Sequence, residues 1–395
     1  MGSVETYATD QGRRYRVRYR DPGRRTKAKA GFRTRRDAEA FLAEMSVAVS
    51  HGDYIDPAAG RRTVGALGPQ WLGSLNHLKP SSFAPLEAAW PVYVAPRWAT
   101  TEIGRIRPSE VQSWIADLIA GSAPTTATPR PLRPTSVKRA HGVLASILDV
   151  AVRDRLLHSN PARGASLPRK VPRRHMYLSH QQVELLAREA KSKASLVRFL
   201  CYTGLRWGEA TALRVRDVDL DRRRLRVIEN AVRVNGHILV GTPKTHHTRV
   251  VPIPPFLSTE IAALMEGQAE SALVFSSKGA YLQQPTAKGG WYVAAVKRAQ
   301  AADPTFPRPT IHDLRHTAAS LAVSAGANVK AVQRMLGHAS AAMTLDVYTD
   351  LFEEDLDRVS LALDEARAAS LAQFLRSFSF EDDPDEGEKP GNMRI

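Results

Sequence analysis

The sequence lacks the features of a secreted or membrane-bound protein. Cys201 is the only cysteine, so no intramolecular disulfide can form, and such a chain suits a reducing compartment. No stretch approaches the roughly 20 apolar residues that a membrane-spanning helix needs. The opening segment MGSVETYATDQGRR has no apolar core of the kind that a secretion signal carries. We therefore expect a cytoplasmic protein with no membrane partner.

Acidic residues are also few relative to basic ones. The 56 lysines and arginines outnumber the 40 aspartates and glutamates, which gives a formal net charge of +16. A charge of this sign favours a polyanionic partner, and nucleic acid is the first candidate. Of the 395 residues, 43% are hydrophobic, which is enough for more than one buried core. We therefore expect a multidomain chain.

Residues 1–58 predict a small α+β domain made of a three-stranded sheet and one helix. In the segment RYRVRYR the arginines alternate with Tyr15, Val17 and Tyr19, so a strand places the basic side chains on one face. A helix that starts near Thr34 would cover the other face. The basic face is either merely solvated or contacts DNA, and the lack of an acid within the run favours DNA. Its candidate DNA-binding residues are Arg14, Arg16, Arg18 and Arg20.

Residues 63–168 predict an all-α domain. Ser109 and Gln112 have the form of a capping box before an amphipathic helix. A longer helix from Thr135 carries its apolar residues at helical spacing, which predicts one buried face and one polar face. The polar face contributes two more candidate DNA-binding residues, Lys138 and Arg139.

Beyond this domain the sequence predicts a linker, a third domain and a tail. Residues 169–176 are rich in proline and cations, so they would follow a phosphate backbone in an extended form. Residues 177–375 predict a mainly α domain with one small antiparallel sheet from runs at 225–234, 237–240 and 249–253, and with a C-terminal helix over 354–374. Asn235-Gly236 predicts a hairpin turn between the first two of these runs. Residues 376–395 are acidic and lack apolar periodicity, so we expect a disordered tail. The linker's candidate DNA-binding residues are Arg169, Lys170, Arg173 and Arg174.

The segment from His312 to Tyr348 contains the first motifs with chemical meaning, HDLRH and LGH. In a helix, His312 and Arg315 are three residues apart and lie on one face. Gly337 fits the left-handed residue that closes many helices, so we expect His338 in a loop. Tyr348 follows His338 by ten residues.

A second motif, TGLRWGE, lies more than a hundred residues earlier. An apolar helix breaks at Gly204, and a new helix opens with Arg206 in its first turn. An arginine beside the free N–H groups of a helix start favours a phosphate. Glu209 is one turn further on, at the spacing of a partner for this arginine. Between the two motifs, Lys244 lies in the turn GTPKTHHT, which two strand-like runs flank.

Together these residues resemble the active-site set of the tyrosine site-specific recombinases, the phage integrase family. TGLRWGE is similar to that family's first arginine box, HDLRH to its His-x-x-Arg box, and LGH with the later tyrosine to its closing box. The likeness spans roughly residues 177–363. It implies an arm-type DNA-binding domain over 1–58, a core-binding domain over 63–168 and a catalytic domain over 177–375.

The resemblance also implies a role for each residue. Tyr348 would be the nucleophile that forms a 3′-phosphotyrosyl link, although a phenol with an ordinary pKa of about 10 needs help at neutral pH. Arg206 and Arg315 would clamp the phosphate and stabilise the charge of the transition state. The other implied roles are protonation of the leaving 5′ oxygen by Lys244, proton transfer at the nucleophile by His312, a hydrogen bond from His338 to a phosphate oxygen, and support of Arg206 by Glu209.

The implied function is site-specific DNA recombination that integrates or excises a mobile element. The implied partners are double-stranded DNA, three further copies of the chain in a homotetramer on paired sites, and DNA-bending or directionality factors. The phosphotyrosyl link stores the energy of the broken ester, so neither a cofactor nor a metal is implied.

Three other interpretations stay open. His312 and His316 have a spacing that can bind a metal, although no glutamate follows His312 in the H-E-x-x-H pattern and no cysteine cluster offers further ligands. A type IB topoisomerase-like enzyme would use the same chemistry to nick and reseal DNA as a monomer, but the N-terminal arm domain favours the recombinase. The third alternative is not an enzyme: the chain would be a DNA-binding regulator whose phosphotransfer site is vestigial.

Overall fold

The structure, a computed structural model, describes residues 2–56, 58–170, 176–243, 248–286, 289–338 and 356–378. The chain divides into two compact units, Met1–Pro172 and Arg173–Ile395. The division falls inside the predicted linker at 169–176. Of the helices in these described ranges, none combines the length and the apolar character that crossing a membrane requires.

The first unit opens with the antiparallel meander that the alternating run predicts, in the order β1-β2-β3. Val17 and Tyr19 are buried, and the Tyr19 ring meets the Phe41 ring edge-on at 6.0 Å between centroids. The helix begins after Thr34, whose hydroxyl accepts the Asp37 backbone N–H. This sheet and helix consist of β1 Ser3–Thr9, β2 Gly12–Arg20, β3 Thr26–Phe32 and α1 Arg35–His51.

The rest of the first unit is helical, with a core that is separate from that of the sheet. Trp98 and Trp114 are fully buried in this second core and meet at right angles, 5.8 Å between ring centroids. His141 is buried too, with Nε2 2.8 Å from the Ala162 carbonyl oxygen, which gives it a structural role. The helices are α2 Val64–Gly73, α3 Pro80–Ala89, α4 Ala95–Trp98, α5 Pro108–Ala120 and α6 Pro134–Arg153.

The predicted start of α5 is wrong by two residues. Arg107, not Ser109, is the N-cap, and Pro108 takes the first helical position. Proline suits that position because it needs no hydrogen-bond acceptor for a backbone N–H. The carboxylate of Glu110 accepts the Arg107 backbone N–H at 3.0 Å. The capping carboxylate is therefore Glu110, and Gln112 is not part of the cap.

Helices surround one large core in the second unit. Leu186, Phe199, Leu257 and Leu314 are buried in it and come from four different helices. The helices are α7 His180–Glu189, α8 Ala194–Thr203, α9 Trp207–Ala212, α10 Pro255–Met265, α11 Trp291–Ala302, α12 Ile311–Ser324, α13 Val329–Leu336 and α14 Leu356–Phe378.

The prediction of one sheet from the three strand-like runs is wrong. The run 225–234 splits, so that β5 pairs with β4 and β8 while β6 pairs with β7 in a separate hairpin. The hairpin turns at Asn235-Gly236, as predicted, and both residues have positive φ. β6 instead packs closely on α9, where a Cβ on Gly208 would lie 2.4 Å from the Ala231 carbonyl oxygen. These strands are β4 Val218–Asp219, β5 Arg224–Val227, β6 Asn230–Val234, β7 His237–Gly241 and β8 Arg249–Pro252, and a short pair, β9 Ser276–Ser277 and β10 Ala280–Tyr281, follows α10.

The C-terminal helix α14 extends past its predicted end. Residues 376–378 are helical, although the disordered tail was predicted to begin at 376, and residues 379–395 lie outside the described ranges. Several apolar side chains of α14 are exposed, among them Leu363 at 67% and Phe374 at 57%.

Candidate active site

Arg206 lies at the junction of two helices. α8 ends at Thr203, and Gly204 follows with a left-handed φ of 66°. Arg206 is the N-cap of α9, one residue before the helix rather than in its first turn as predicted. Its guanidinium Nη1 donates to Glu209 at 2.8 Å and its backbone N–H donates to the same carboxylate at 2.9 Å. The turn therefore fixes the arginine at both its backbone and its side chain.

Glu209 joins two arginines at once. Its side chain is fully buried, and its two oxygens accept bonds from Arg206 and from Arg249 at the start of β8. Burial alone would raise the pKa of this carboxyl, but the hydrogen bonds and charge of Arg249, with the backbone N–H and charge of Arg206, lower the pKa to about 2. Glu209 is therefore ionised at neutral pH and holds both guanidinium groups.

The free energy of unfolding should depend on pH through this carboxyl. Because the folded pKa of about 2 lies below the ordinary 4.5, the stabilisation is fully present above about pH 5 and is lost as the pH falls toward 2. The difference between the folded and the ordinary pKa corresponds to about 3 kcal/mol of unfolding free energy at neutral pH. We expect Glu209→Gln to lower the free energy of unfolding at pH 7. The difference in this free energy between the variant and the wild type should shrink steadily as the pH falls toward 3. Denaturant titrations at a series of pH values measure both.

A suitable control is Glu260→Gln, because Glu260 also holds an arginine, Arg198, but keeps 27% of its side chain exposed. A Glu209→Gln penalty that stayed constant from pH 7 to pH 3 would contradict the prediction.

Arg315 ties the two motifs together from the middle of α12. Thr310 is the N-cap of that helix, and its hydroxyl and backbone N–H both donate to the Asp313 carboxylate, at 2.7 and 2.6 Å. Arg315 is buried, with 3% of its surface exposed. Its Nη1 donates to the Gly204 carbonyl oxygen at 2.6 Å, and its Nη2 donates to the Leu336 carbonyl oxygen. The guanidinium thus connects the turn before Arg206 to the end of α13.

His312 lies three residues before Arg315, near the start of α12, and is exposed. A cavity of about 540 Å³ opens beside it. Its ring is 5.0 Å from the ring of His316, which is buried, and the two rings are nearly perpendicular. Within the described ranges, no group of three or more His, Cys, Asp or Glu side chains is arranged to hold a metal ion.

His338 follows directly after the helix that Arg315 holds. α13 ends at Leu336, and Gly337 has φ 67° and ψ 46°, the left-handed conformation that the sequence predicts. Burial and the charges of Arg315, Arg206 and Arg249 lower the pKa of the His338 imidazole to about 4. The ring is therefore neutral at pH 7, where a neutral imidazole can still donate one hydrogen bond.

The structure brings four of the predicted residues into one cluster: Arg206, Glu209, Arg315 and His338. His312 is close enough to contribute electrostatically to the low pKa of His338. Two of the predicted catalytic residues, Lys244 and Tyr348, lie outside the described residues. Arg249 belongs to the cluster, but the motifs do not include it. The only sign in the sequence was its place at the start of a strand, just after the turn that carries Lys244.

The candidate DNA-binding residues are mostly on the surface of the first unit. Arg18 and Arg20 are exposed, while Arg14 and Arg16 are partly buried, and Arg16 stacks over the Tyr7 ring at 5.1 Å. No acid lies within the run itself, but Glu5 of the neighbouring strand pairs with Arg18 at 3.3 Å and places an acid on the same face. The residues Lys138, Arg139, Arg169 and Lys170 are exposed, and Arg173 and Arg174 lie outside the described residues.

Comparisons with known proteins agree on one family. The phage integrase family matches residues 176–355. The integrase of Mycobacterium phage D29 is 27% identical over 361 residues, which cover 85% of this chain and 90% of that integrase. The tyrosine recombinase XerC of a Mycobacterium species (strain JLS) is 26% identical over 289 residues, which cover 70% of this chain and 89% of that recombinase. The solved structure of the Tn1549 transposon integrase with transposon right end DNA matches at a TM-score of 0.62 and 20% identity, over 76% of this chain and 100% of that one.

Proposed function

This chain belongs to the phage integrase family of tyrosine recombinases and is a site-specific DNA recombinase, and we propose that its site works through a 3′-phosphotyrosyl intermediate. The observation that carries this proposal is the contact between distant motifs. Arg315 donates to the carbonyl of Gly204, two residues before Arg206, and Glu209 holds the Arg206 guanidinium. Two cations that can clamp one phosphate are thereby fixed in one place.

The proposed step exchanges one ester for another. The Tyr348 oxygen attacks the scissile phosphorus, a bond from that oxygen to phosphorus forms, and the bond from phosphorus to the 5′ oxygen breaks. The phenol proton passes to His312, and Lys244 supplies a proton to the departing 5′ oxygen. Since one phosphate ester replaces another, no nucleotide or redox cofactor is needed. The reverse step, with a 5′ hydroxyl of a partner strand, completes the exchange.

The phosphate would be held by groups that keep their charge or hydrogen-bonding state at neutral pH. The guanidinium groups of Arg206 and Arg315 supply two positive charges and a planar set of donors. The neutral His338 would donate a hydrogen bond to a phosphate oxygen without adding a charge that titrates near pH 7.

The domains would divide the contacts with DNA. We assign arm-type binding to residues 1–58, core-site binding to 63–168, backbone contacts to the linker 169–176 and catalysis to 177–375. Separate hydrophobic clusters before residue 58 and after residue 63 support the first boundary. The exposed Arg18 and Arg20 support DNA contact by β2.

We further propose a homotetramer on paired DNA sites, in the cytoplasm where such DNA lies, with DNA-bending or directionality factors as further partners. The lambda integrase has been solved as a tetramer bound to a Holliday junction. Exposed leucines on α14, such as Leu363, support a contact between subunits. Covering large apolar side chains with a partner removes them from water and so lowers the free energy.

Two-site DNA tests the recombinase against the topoisomerase-like alternative. We expect a plasmid with two recognition sites to give Holliday junctions and recombinant circles, because strand exchange needs two cleaved duplexes in one complex. A plasmid with one site serves as the control and should give neither product. Relaxed circles from both plasmids, without junctions, would favour the enzyme that only nicks and reseals.

A further inference from the structure

Arg249 is an arginine of the second unit that no catalytic motif contains, yet it makes three well-formed contacts at the site. Its Nη1 and Nη2 donate to the two oxygens of Glu209, at 3.1 and 2.6 Å. Its Nε donates to the Met335 carbonyl oxygen at 2.9 Å. Only 9% of the side chain is exposed. The side chain therefore bridges the first arginine motif and the last turn of α13 from within the protein.

The contact with Met335 places Arg249 close to His338, which follows Met335 by three residues. The last four carbonyls of a helix have no partner within the helix, and here Arg249 and Arg315 take those of Met335 and Leu336. Both cations also lie at the negative end of the helix dipole, which is favourable. The end of α13, and with it the start of the His338 loop, is thus held by two arginines from other elements.

Gly337 shows how closely the two parts fit. A Cβ built on this glycine would lie 3.0 Å from Cδ and 3.2 Å from Nε of Arg249. The backbone at Gly337 therefore packs against the aliphatic part of the Arg249 side chain. A shift of this side chain would displace Gly337 and, with it, the adjacent His338.

An arginine is the residue type that fits this position. Its planar group presents donors in a fixed fork, which matches a carboxylate with two bonds and leaves Nε for a third acceptor. A lysine keeps the charge but offers a single point of contact. Since Glu209 is fully buried, losing one of its bonds would also leave its charge less well compensated.

We propose that Arg249 is a positioning residue for DNA cleavage, which sets Arg206 through Glu209 and sets His338 through the end of α13. The proposal rests on the function proposed above. Arg249 itself does not touch the phosphate in this account. The side chain contacts the TGLRWGE motif at Glu209 and, at Met335, the residue just before the LGH motif.

The test compares two arginine-to-lysine variants in the full-length protein. Arg249→Lys is the experimental variant, and Arg198→Lys is the matched control, because Arg198 also bonds two carboxylates, Glu184 and Glu260, away from the site. For each we measure the melting temperature, the affinity for a duplex with the recognition site, and the single-turnover rate of covalent complex formation on a nicked duplex.

We expect Arg249→Lys to slow cleavage about 10- to 100-fold, by analogy with the loss seen when a group that orients a metal ligand is removed. DNA affinity should change no more than in Arg198→Lys, which should cleave at the wild-type rate. The melting temperature should fall further in Arg249→Lys, because the charge of the buried Glu209 is less well compensated, so rates are compared at a temperature well below both melting temperatures. Cleavage by Arg249→Lys at the wild-type rate would overturn the proposal, as would a loss of rate matched by an equal loss of binding.

A double variant checks the route of the effect. If Arg249 acts largely through Glu209, the fold-change caused by Arg249→Lys should be smaller in a Glu209→Gln background than in the wild type, since coupled residues are not additive. An equal fold-change in both backgrounds would contradict that route. Wild-type protein that forms no covalent complex at all would instead refute the proposed function, which keeps the two failures distinct.

Discussion

Tyr348→Phe should abolish the covalent complex with DNA while leaving DNA binding intact. Phenylalanine keeps the ring and removes the oxygen that attacks phosphorus, so the first ester cannot form. Loss of a nucleophile in other enzymes costs on the order of 10⁶-fold in rate, and we expect no detectable strand transfer here. Denaturing gels of a nicked recognition duplex report the covalent complex, and mobility shifts of the intact duplex report binding.

The matched control for this result is Tyr202→Phe. The Tyr202 hydroxyl is 2.8 Å from Nδ1 of His180, so this change also removes one phenol oxygen and one hydrogen bond. The covalent complex should form at close to the wild-type rate. If Tyr348→Phe still recombined two-site DNA, the regulator interpretation would fail along with ours, and another residue would have to be the nucleophile.

Arg206→Lys should give the second largest effect. Lysine keeps the positive charge, but its ammonium cannot bond two phosphate oxygens and Glu209 in one plane. Removing one preorganised donor to a developing oxyanion costs about 10²- to 10³-fold in rate. We expect a loss of this size in single-turnover cleavage, with little change in DNA affinity because this arginine is only one of many phosphate contacts.

Arg214→Lys is the control for this substitution. Arg214 has a similar setting, since it pairs with Glu229 at 3.2 Å and keeps 22% of its side chain exposed, against 25% for Arg206. Its replacement should leave cleavage unchanged. An equal loss in both variants would mean that the defect comes from disturbed packing rather than from a lost phosphate clamp.

Local patterns predicted much of what surrounds the site. Gly204 and Gly337 end helices in left-handed conformations, and the spacing of Arg206 and Glu209 predicts their contact, because each of these features depends on a few neighbouring residues. The meander of β1 to β3 and the turn at Asn235-Gly236 followed in the same way from alternation and turn chemistry.

What the sequence did not predict depends on distant residues. Arg249 lies 40 residues from Glu209 and 86 residues from Met335 in the chain, and no periodicity connects such positions. The split of the strand run at 225–234 also depends on a distant contact. β6 leaves the sheet because it packs against α9, where Gly208 has no side chain to prevent the close approach. Glu5 on the basic face was missed because strand pairing, not the run itself, places it beside Arg18.

The most direct measurement traps the wild-type protein on a nicked duplex whose cleaved end diffuses away, digests the complex and identifies the residue that carries the nucleotide by mass spectrometry. We predict a single modified residue, Tyr348, joined to a 3′ phosphate. A modification at any other residue, or a 5′ phosphate on the protein, would contradict it.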